Sequence, residues 1–234
     1  MTIREADSRW NDLLTLARRH MESVGMSRSD WTWGGGTVLM LRHKHRLSWD
    51  VDLFVNDVQL LSYLSPRLND NVAADVDGYN EQSNHLRCFI DGVGEIDYLT
   101  AQPVIDFKPE KMDVPGHGPL QVMSDREILA QKIHYRGHGF TGRDLFDFAT
   151  ITALRPELLE DAALQEIGFG RKAPLDARLS SDILKQDYST VRLHEASTVS
   201  LSFEDAREAM QAWLDGTGPS IQRRPAPPSS GPSM

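Results

Sequence analysis

The stretch that most constrains this chain is 33–55, WGGGTVLMLRHKHRLSWDVDLFV. Its last eight residues alternate as a strand does, so Asp50 and Asp52 share one face while Val51, Leu53 and Val55 take the other. Two carboxylates side by side repel each other unless a cation lies between them. A hard divalent ion such as Mg2+ takes one or two carboxylates together with substrate phosphates. Upstream, Gly34, Gly35 and Gly36 let the backbone approach a phosphate closely and aim N–H groups at it. Alone, an Asp-x-Asp is ordinarily a solvated strand face and a Gly-Gly pair a turn. In the order glycine turn, helix, Asp-x-Asp strand, they form a layout for holding a nucleoside triphosphate on metal.

The remaining composition sets limits. With 234 residues, 40% hydrophobic and 25% charged, the chain reads as an ordinary soluble globular protein, one large domain or a domain with an extension. The net charge of −9 argues against indiscriminate nucleic-acid binding but leaves room for a local basic patch, and Arg42, His43, Lys44, His45 and Arg46 form the densest one. The one cysteine, Cys88, excludes an intrachain disulfide framework and fits a reducing compartment. No apolar run has membrane-spanning length and no signal-peptide pattern opens the chain, so the expectation is a cytoplasmic protein without a membrane partner.

In chain order, helical spacing predicts a helix over 2–24 with Gly25 as its stop, then a short strand at 31–33. A helix over 58–68 is weakened at its end by Pro66, and 69–84 is polar and mixed, with room for an edge strand. Strands at 85–90 and 94–99 are joined by Asp91-Gly92, a hairpin signal. The second places Glu95, Asp97 and Leu99 on one face, so Asp97 is either a third carboxylate beside Asp50 and Asp52 or a hairpin surface residue. Residues 104–123 carry loop chemistry with a short strand at 120–123. Ser124 and Glu127 fit a capping box that opens a helix over 125–135. That helix carries Lys132, which beside a triphosphate would offset charge and orient the leaving pyrophosphate, and otherwise is a solvated helix residue. A helix over 143–154 follows. Asp144 and Asp147 share a face near its start, where carboxylates also serve as caps. Helices are expected at 156–167, 176–186 and 203–214, and a disordered Pro/Ser/Gly-rich tail at 216–234. The eight histidines are too scattered for zinc, and no Walker-type Gly-Lys-Ser/Thr is present.

Gly35-Gly36-Thr37, Leu39, His45-Arg46, Ser48 and Asp50-Val51-Asp52-Leu53-Phe54 together resemble the first motif of the AbiEii/AbiGii toxin family of nucleotidyltransferases, within the DNA-polymerase-β-like superfamily. The run 127–133, with Lys132, and Arg143-Asp144-Leu145-Phe146-Asp147 resemble the family's later lysine and Arg-Asp-x-x-Asp motifs. The resemblance spans about 30–155. It implies an α+β fold, a nucleotidyltransferase-like mixed sheet flanked by helices over 1–155, followed by a helical C-terminal part over 156–215. It implies Mg2+ or Mn2+ held by Asp50 and Asp52, with Asp97 completing the metal site from the neighbouring strand. Gly35, Gly36, Thr37, Arg46, Ser48 and Lys132 would bind the nucleotide. Asp144 would act as base or positioning group, and Asp147 would hold Arg143 or Lys132. The function so implied is the toxin of a bacterial toxin–antitoxin or phage-defence pair. It would transfer a nucleotide to a tRNA-like acceptor and be partnered by a cognate antitoxin. The alternatives are transfer to a small molecule or a protein side chain, or a non-catalytic nucleotide-binding module.

Overall fold

The computed structural model describes residues 3–217, so the tail expected at 216–234 lies outside the described residues apart from its first two positions. Helix α1 (Ile3–Ser23) ends at Gly25, whose φ of 78° is the left-handed stop expected there. Strand β1 (Trp31–Gly34) runs straight into helix α2 (Gly35–His43), so the glycine run is a strand end fused to a first helical turn. Strand β2 (Val51–Val55) follows. Helix α3 (Val58–Tyr63) stops short of the expected 58–68, because the chain leaves helical geometry ahead of Pro66. Asn69 then caps a one-turn helix, α4 (Asp70–Ala73), accepting hydrogen bonds from the N–H groups of Asn71 and Val72.

Strands β3 (Gly78–Gln82), β4 (His85–Ile90) and β5 (Gly94–Leu99) form a meander. Strands β6 (Glu110–Val114) and β7 (Gly118–Val122) form a hairpin. Here β6 departs from the expected loop: the prolines and glycines of 104–123 flank and close this hairpin. Helices α5 (Asp125–Arg136) and α6 (Gly142–Leu154) follow. After a 3-10 turn at Pro156–Glu160 come α7 (Ala162–Gly170), α8 (Lys172–Leu179), α9 (Asp182–Ser189) and α10 (Phe203–Leu214). The helices expected at 156–167 and 176–186 are each interrupted. Asp161 and Ser181 accept hydrogen bonds from the N–H groups of Leu164 and Ile183, and each starts a new helix inside a continuous apolar pattern. Helix α6 packs on α9 and α10, with the Phe148 and Trp213 rings 5.0 Å apart.

The seven strands form one mixed sheet in the order β3-β4-β5-β2-β1-β7-β6, with β2–β5 and β1–β7 parallel. Trp33, Leu53, Tyr98 and Leu86 lie in register on one face and are all buried, covered by α1, where His20 and Tyr98 are hydrogen-bonded at 2.8 Å. On the opposite face two rows cross the same four strands. One is Gly34, Asp52, Asp97 and Arg87; the next is Thr32, Phe54, Leu99 and His85.

Two polar hubs fix the surrounding elements. Ser124 caps α5 by accepting from the N–H of Glu127, but Glu127 does not reach back to close the expected box. Its buried carboxylate accepts from the N–H groups of Val104 and Ile105, at 3.0 and 3.2 Å, and ties the segment after β5 to α5. The second hub is Asp125, 2% exposed, which pairs with Arg42 (2.8 Å), His43 (2.8 Å) and Arg155 (2.9 Å), while Arg42 also holds Glu110. The expected basic patch at 42–46 is therefore largely an internal ion-pair seam. Burial alone would raise the Asp125 carboxyl, but His43, Arg155 and Arg42 hold it well below the ordinary 3.8. A depressed folded-state pKa stabilises the fold above the unfolded value, and that stability is lost as pH falls below it. Asp125→Asn is therefore expected to lower the melting temperature at neutral pH and to flatten its decline between about pH 4 and pH 2, read by thermal melts across that range.

Candidate active site

The site begins where β1 becomes α2. Gly35 has φ of 73°, and a Cβ there would run into the Asp52 carboxylate. A Cβ on Gly36 would meet Arg46 Nη2 at 2.5 Å and Ser48 Oγ at 3.0 Å. Five of the expected residues, Gly35, Gly36, Arg46, Ser48 and Asp52, thus converge on a bare stretch of backbone at a helix N-terminus. Such a stretch suits an anion. Thr37 stands apart: it is fully buried, its hydroxyl donating to the Asp50 carbonyl at 2.6 Å with Ser48 Oγ 3.1 Å away. It braces the turn that carries Ser48 and Asp50.

Asp50, Asp52 and Asp97 are gathered by the sheet. Asp52 and Asp97 are register partners on β2 and β5, and Asp50 accepts from the Glu95 N–H at 3.2 Å. Burial first, then the neighbouring Asp97, pushes the Asp52 carboxyl up to about 7, against the pull of Lys132. Burial also raises Asp50, opposed by the Glu95 N–H and by Arg143. Asp97 behaves differently. Burial would raise it, but His85 (2.7 Å) and the Arg87 fork (2.7 and 2.8 Å) hold it low. The cluster thus carries more buried negative charge than it neutralises, at Asp50 and Asp52 above all. Among the described residues no three His, Cys, Asp or Glu side chains form a ready metal-binding group. The donor set is a carboxylate pair beside a bare helix N-terminus, which fits a hard cation completing its shell with phosphate and water.

Helices α5 and α6 supply the cations. Lys132 Nζ lies 2.6 Å from Asp144 Oδ1 and 3.2 Å from Asp147 Oδ2. Asp144 is buried and fully engaged, closing a capping box with Thr141, accepting from Lys132 and ion-paired with Arg136 at 3.3 Å. Asp147, 0% exposed, grips Arg46 with two bonds of 2.6 and 2.8 Å and His45 Nε2 at 2.8 Å. Burial would raise Asp147, yet Arg46 and Lys132 hold it well below the carboxylate range. Asp147 therefore holds Lys132, one of the two partners expected for it, and holds Arg46 in place of Arg143. Arg143 is exposed at the first turn of α6, makes no ion pair among the described residues and acts electrostatically on Asp50 and Glu95. Arg136, half exposed, acts on Asp52. Neither cation was selected from the sequence. Arg143 sits inside the Arg-Asp-x-x-Asp motif, which was the available signal; Arg136, one turn after Lys132, gave none.

A mixed sheet carrying paired carboxylates beside a glycine-opened helix is the architecture of a nucleotidyltransferase. The family model described as nucleotidyl transferase AbiEii toxin, type IV toxin–antitoxin system, matches residues 26–216, well past the 30–155 of the motif resemblance. The chain belongs to this family of nucleotidyltransferase toxins. Among solved structures it is similar to an H. pylori protein described as a nucleotidyltransferase, at 13% identity and TM-score 0.48, covering 93% of this chain and 97% of that one. It is also similar to MenT4, a nucleotidyltransferase toxin from Mycobacterium tuberculosis, at 16% identity and TM-score 0.41, covering 88% and 80%. No curated protein matches. Among the described residues no helix is long and apolar enough to cross a membrane.

Proposed function

We propose that this chain transfers a nucleotide from a nucleoside triphosphate to an RNA acceptor of the tRNA class, with Mg2+ or Mn2+ bound by Asp50 and Asp52 and with Asp97 as candidate third ligand. The observation that carries this reading is that the Asp52 carboxylate fills the space a Cβ on Gly35 would take, which brings a cation ligand and a phosphate cradle to one point. The ion would stabilise charge on the attacking and leaving oxygens. The N–H groups of Gly35 and Gly36 and the Ser48 hydroxyl orient the phosphates. Lys132 screens the leaving pyrophosphate, held on line by Asp144 and Asp147. In this reading Asp144 is a positioning residue, since its oxygens are already bonded to Lys132 and Thr141 and ion-paired with Arg136. An antitoxin protein is the expected partner, from the family's place in toxin–antitoxin systems.

With Arg42 bound internally, Arg136 and Arg143 are exposed cations near the site that an RNA backbone could meet. Each phosphate contact releases counterions, so affinity for RNA falls steeply with salt. Arg136→Glu with Arg143→Glu is expected to weaken RNA binding and RNA labelling by about tenfold or more and to shallow the salt dependence by up to about two contacts. Nucleotide binding should fall less. Filter binding and labelled-nucleotide transfer at two salt concentrations check it. Labelling of protein or a small molecule that ignores the substitutions supports the other acceptor.

A further inference from the structure

Beyond the carboxylate row the same sheet face opens into a cleft of about 610 Å³, bounded by the ends of β2 and β5, the β3–β4 turn and the segment after β5. We propose that this cleft seats an uncharged nucleoside, the base-bearing part of a substrate that reacts at Gly35, Gly36 and the Asp50–Asp52 pair. The proposal rests on the nucleotidyl-transfer reading and adds where the base is read.

Position comes first. Thr32 and Phe54 line the cleft and form the row next to Gly34 and Asp52, two residues or ~6.6 Å along the strands. The two sites are continuous, because a Cβ on Gly34 would meet Met123 Sδ at 2.7 Å and Phe54 Cε2 at 2.8 Å, both cleft walls. A group bonded to a phosphate at Asp52 therefore has this cleft as its neighbouring space.

Charge decides what occupies it. No Lys, Arg or His lines the cleft, and its one carboxylate, Asp57, already caps α3 by accepting from the Gln59 N–H. A phosphate would need cations or clustered N–H groups; the nearest basic groups on this face, His85 and Arg87, are bound to Asp97 and do not line the cleft. The walls instead pair apolar surface from Phe54, Phe107 and Met123 with neutral donors and acceptors. Aromatic faces stack on bases, and amides and hydroxyls read base edges. Thr32 is 6% exposed, and its hydroxyl makes no hydrogen bond among the described residues. Nor does the Asn84 side chain at the rim, while Asn56 gives its N–H to the Ser29 carbonyl and keeps its side-chain oxygen. The Thr32 hydroxyl is unpaired and open to the cleft, so it is available to a ligand. The volume falls within the ~300–1,000 Å³ of small-molecule sites.

The nucleoside has two sources, the donor triphosphate or the acceptor's terminal residue, and one experiment separates them. Ala101→Trp fills the cleft from a loop position, and Thr32→Val removes the hydroxyl at nearly constant volume; both are checked for folding by thermal melts. Binding of the four nucleoside triphosphates and of inorganic tripolyphosphate is measured with Mg2+, together with the KM for acceptor RNA. For a donor base, Ala101→Trp weakens nucleotide binding about tenfold or more with tripolyphosphate unchanged, and Thr32→Val shifts the preference among nucleotides by about three- to tenfold. For an acceptor nucleoside, nucleotide binding holds and the acceptor KM rises by the same factors. If Ala101→Trp does not fold, Thr32→Val alone decides. Nucleotide affinity, nucleotide preference and acceptor KM all within about twofold of wild type, with transfer intact, overturn the cleft and leave the transfer reading standing. A wild-type protein that neither binds nucleotide nor transfers label overturns both.

Discussion

Asp50→Asn combined with Asp52→Asn is expected to lose nucleotidyl transfer by about 10³-fold or more while the protein remains folded. A metal-assisted charge stabilisation is worth several kcal/mol, and each ~1.4 kcal/mol is a factor of ten in rate. The fold is expected to survive because these two groups oppose each other in the metal-free protein. Burial and the neighbouring Asp97 raise the Asp52 carboxyl, so replacing charge by amide relieves repulsion. Asparagine at 50 also keeps an acceptor for the Glu95 N–H. The melting temperature without metal should be unchanged or higher, and Mg2+ with nucleotide should no longer raise it. A double variant that keeps full transfer removes these residues from the chemistry. One that unfolds makes them structural.

The second large effect is on stability. Asp147→Ala would strip the partner from Arg46, 3% exposed, and leave His45 and Lys132 short of an acceptor. Breaking a buried pair from one side costs about 3–5 kcal/mol, or ~6–20 °C of melting temperature for a chain of this size. An apolar replacement of both partners separates structure from function. Asp147→Leu with Arg46→Met should recover most of the lost stability but not nucleotide binding, since Arg46 Nη2 lies at the Gly36 backbone. Recovery of both would make the pair a packing device only. An unchanged melting temperature in Asp147→Ala would contradict the buried ion-pair description.

What could be read from the sequence was local. Alternation gave the facing of Asp52, while Asp50 lies just ahead of the 51–55 strand and is placed by the Glu95 N–H; the neighbouring glycines marked the backbone that Asp52, Arg46 and Ser48 approach. Non-local pairing was out of reach. Asp97 becomes the neighbour of Asp52 only because β5 runs parallel to β2, and its pairing with Arg87 depends on the β4 register. The basic run 42–46 reads as surface because its partners, Asp125 and Asp147, are about a hundred residues or less away in sequence but adjacent in space. Glu127 signalled a capping box, yet tertiary demand from the Val104 and Ile105 amides took its carboxylate. Strand β6 was hidden because a hairpin bounded by Pro and Gly carries the same composition as a loop.

The central claim is nucleotidyl transfer to RNA at the Asp50–Asp52 pair, and the fate of labelled nucleotide tests it most directly. Wild-type protein is incubated with α-labelled nucleoside triphosphates, Mg2+ or Mn2+ and total RNA, and label is followed in RNA, in protein and in small molecules alongside pyrophosphate. The account predicts metal-dependent label in small RNA with matching pyrophosphate release, both absent from the Asp50→Asn, Asp52→Asn protein. Label confined to protein or a small molecule would contradict the acceptor. No label and no pyrophosphate from wild type with either metal, or equal label from the double variant, would contradict the site.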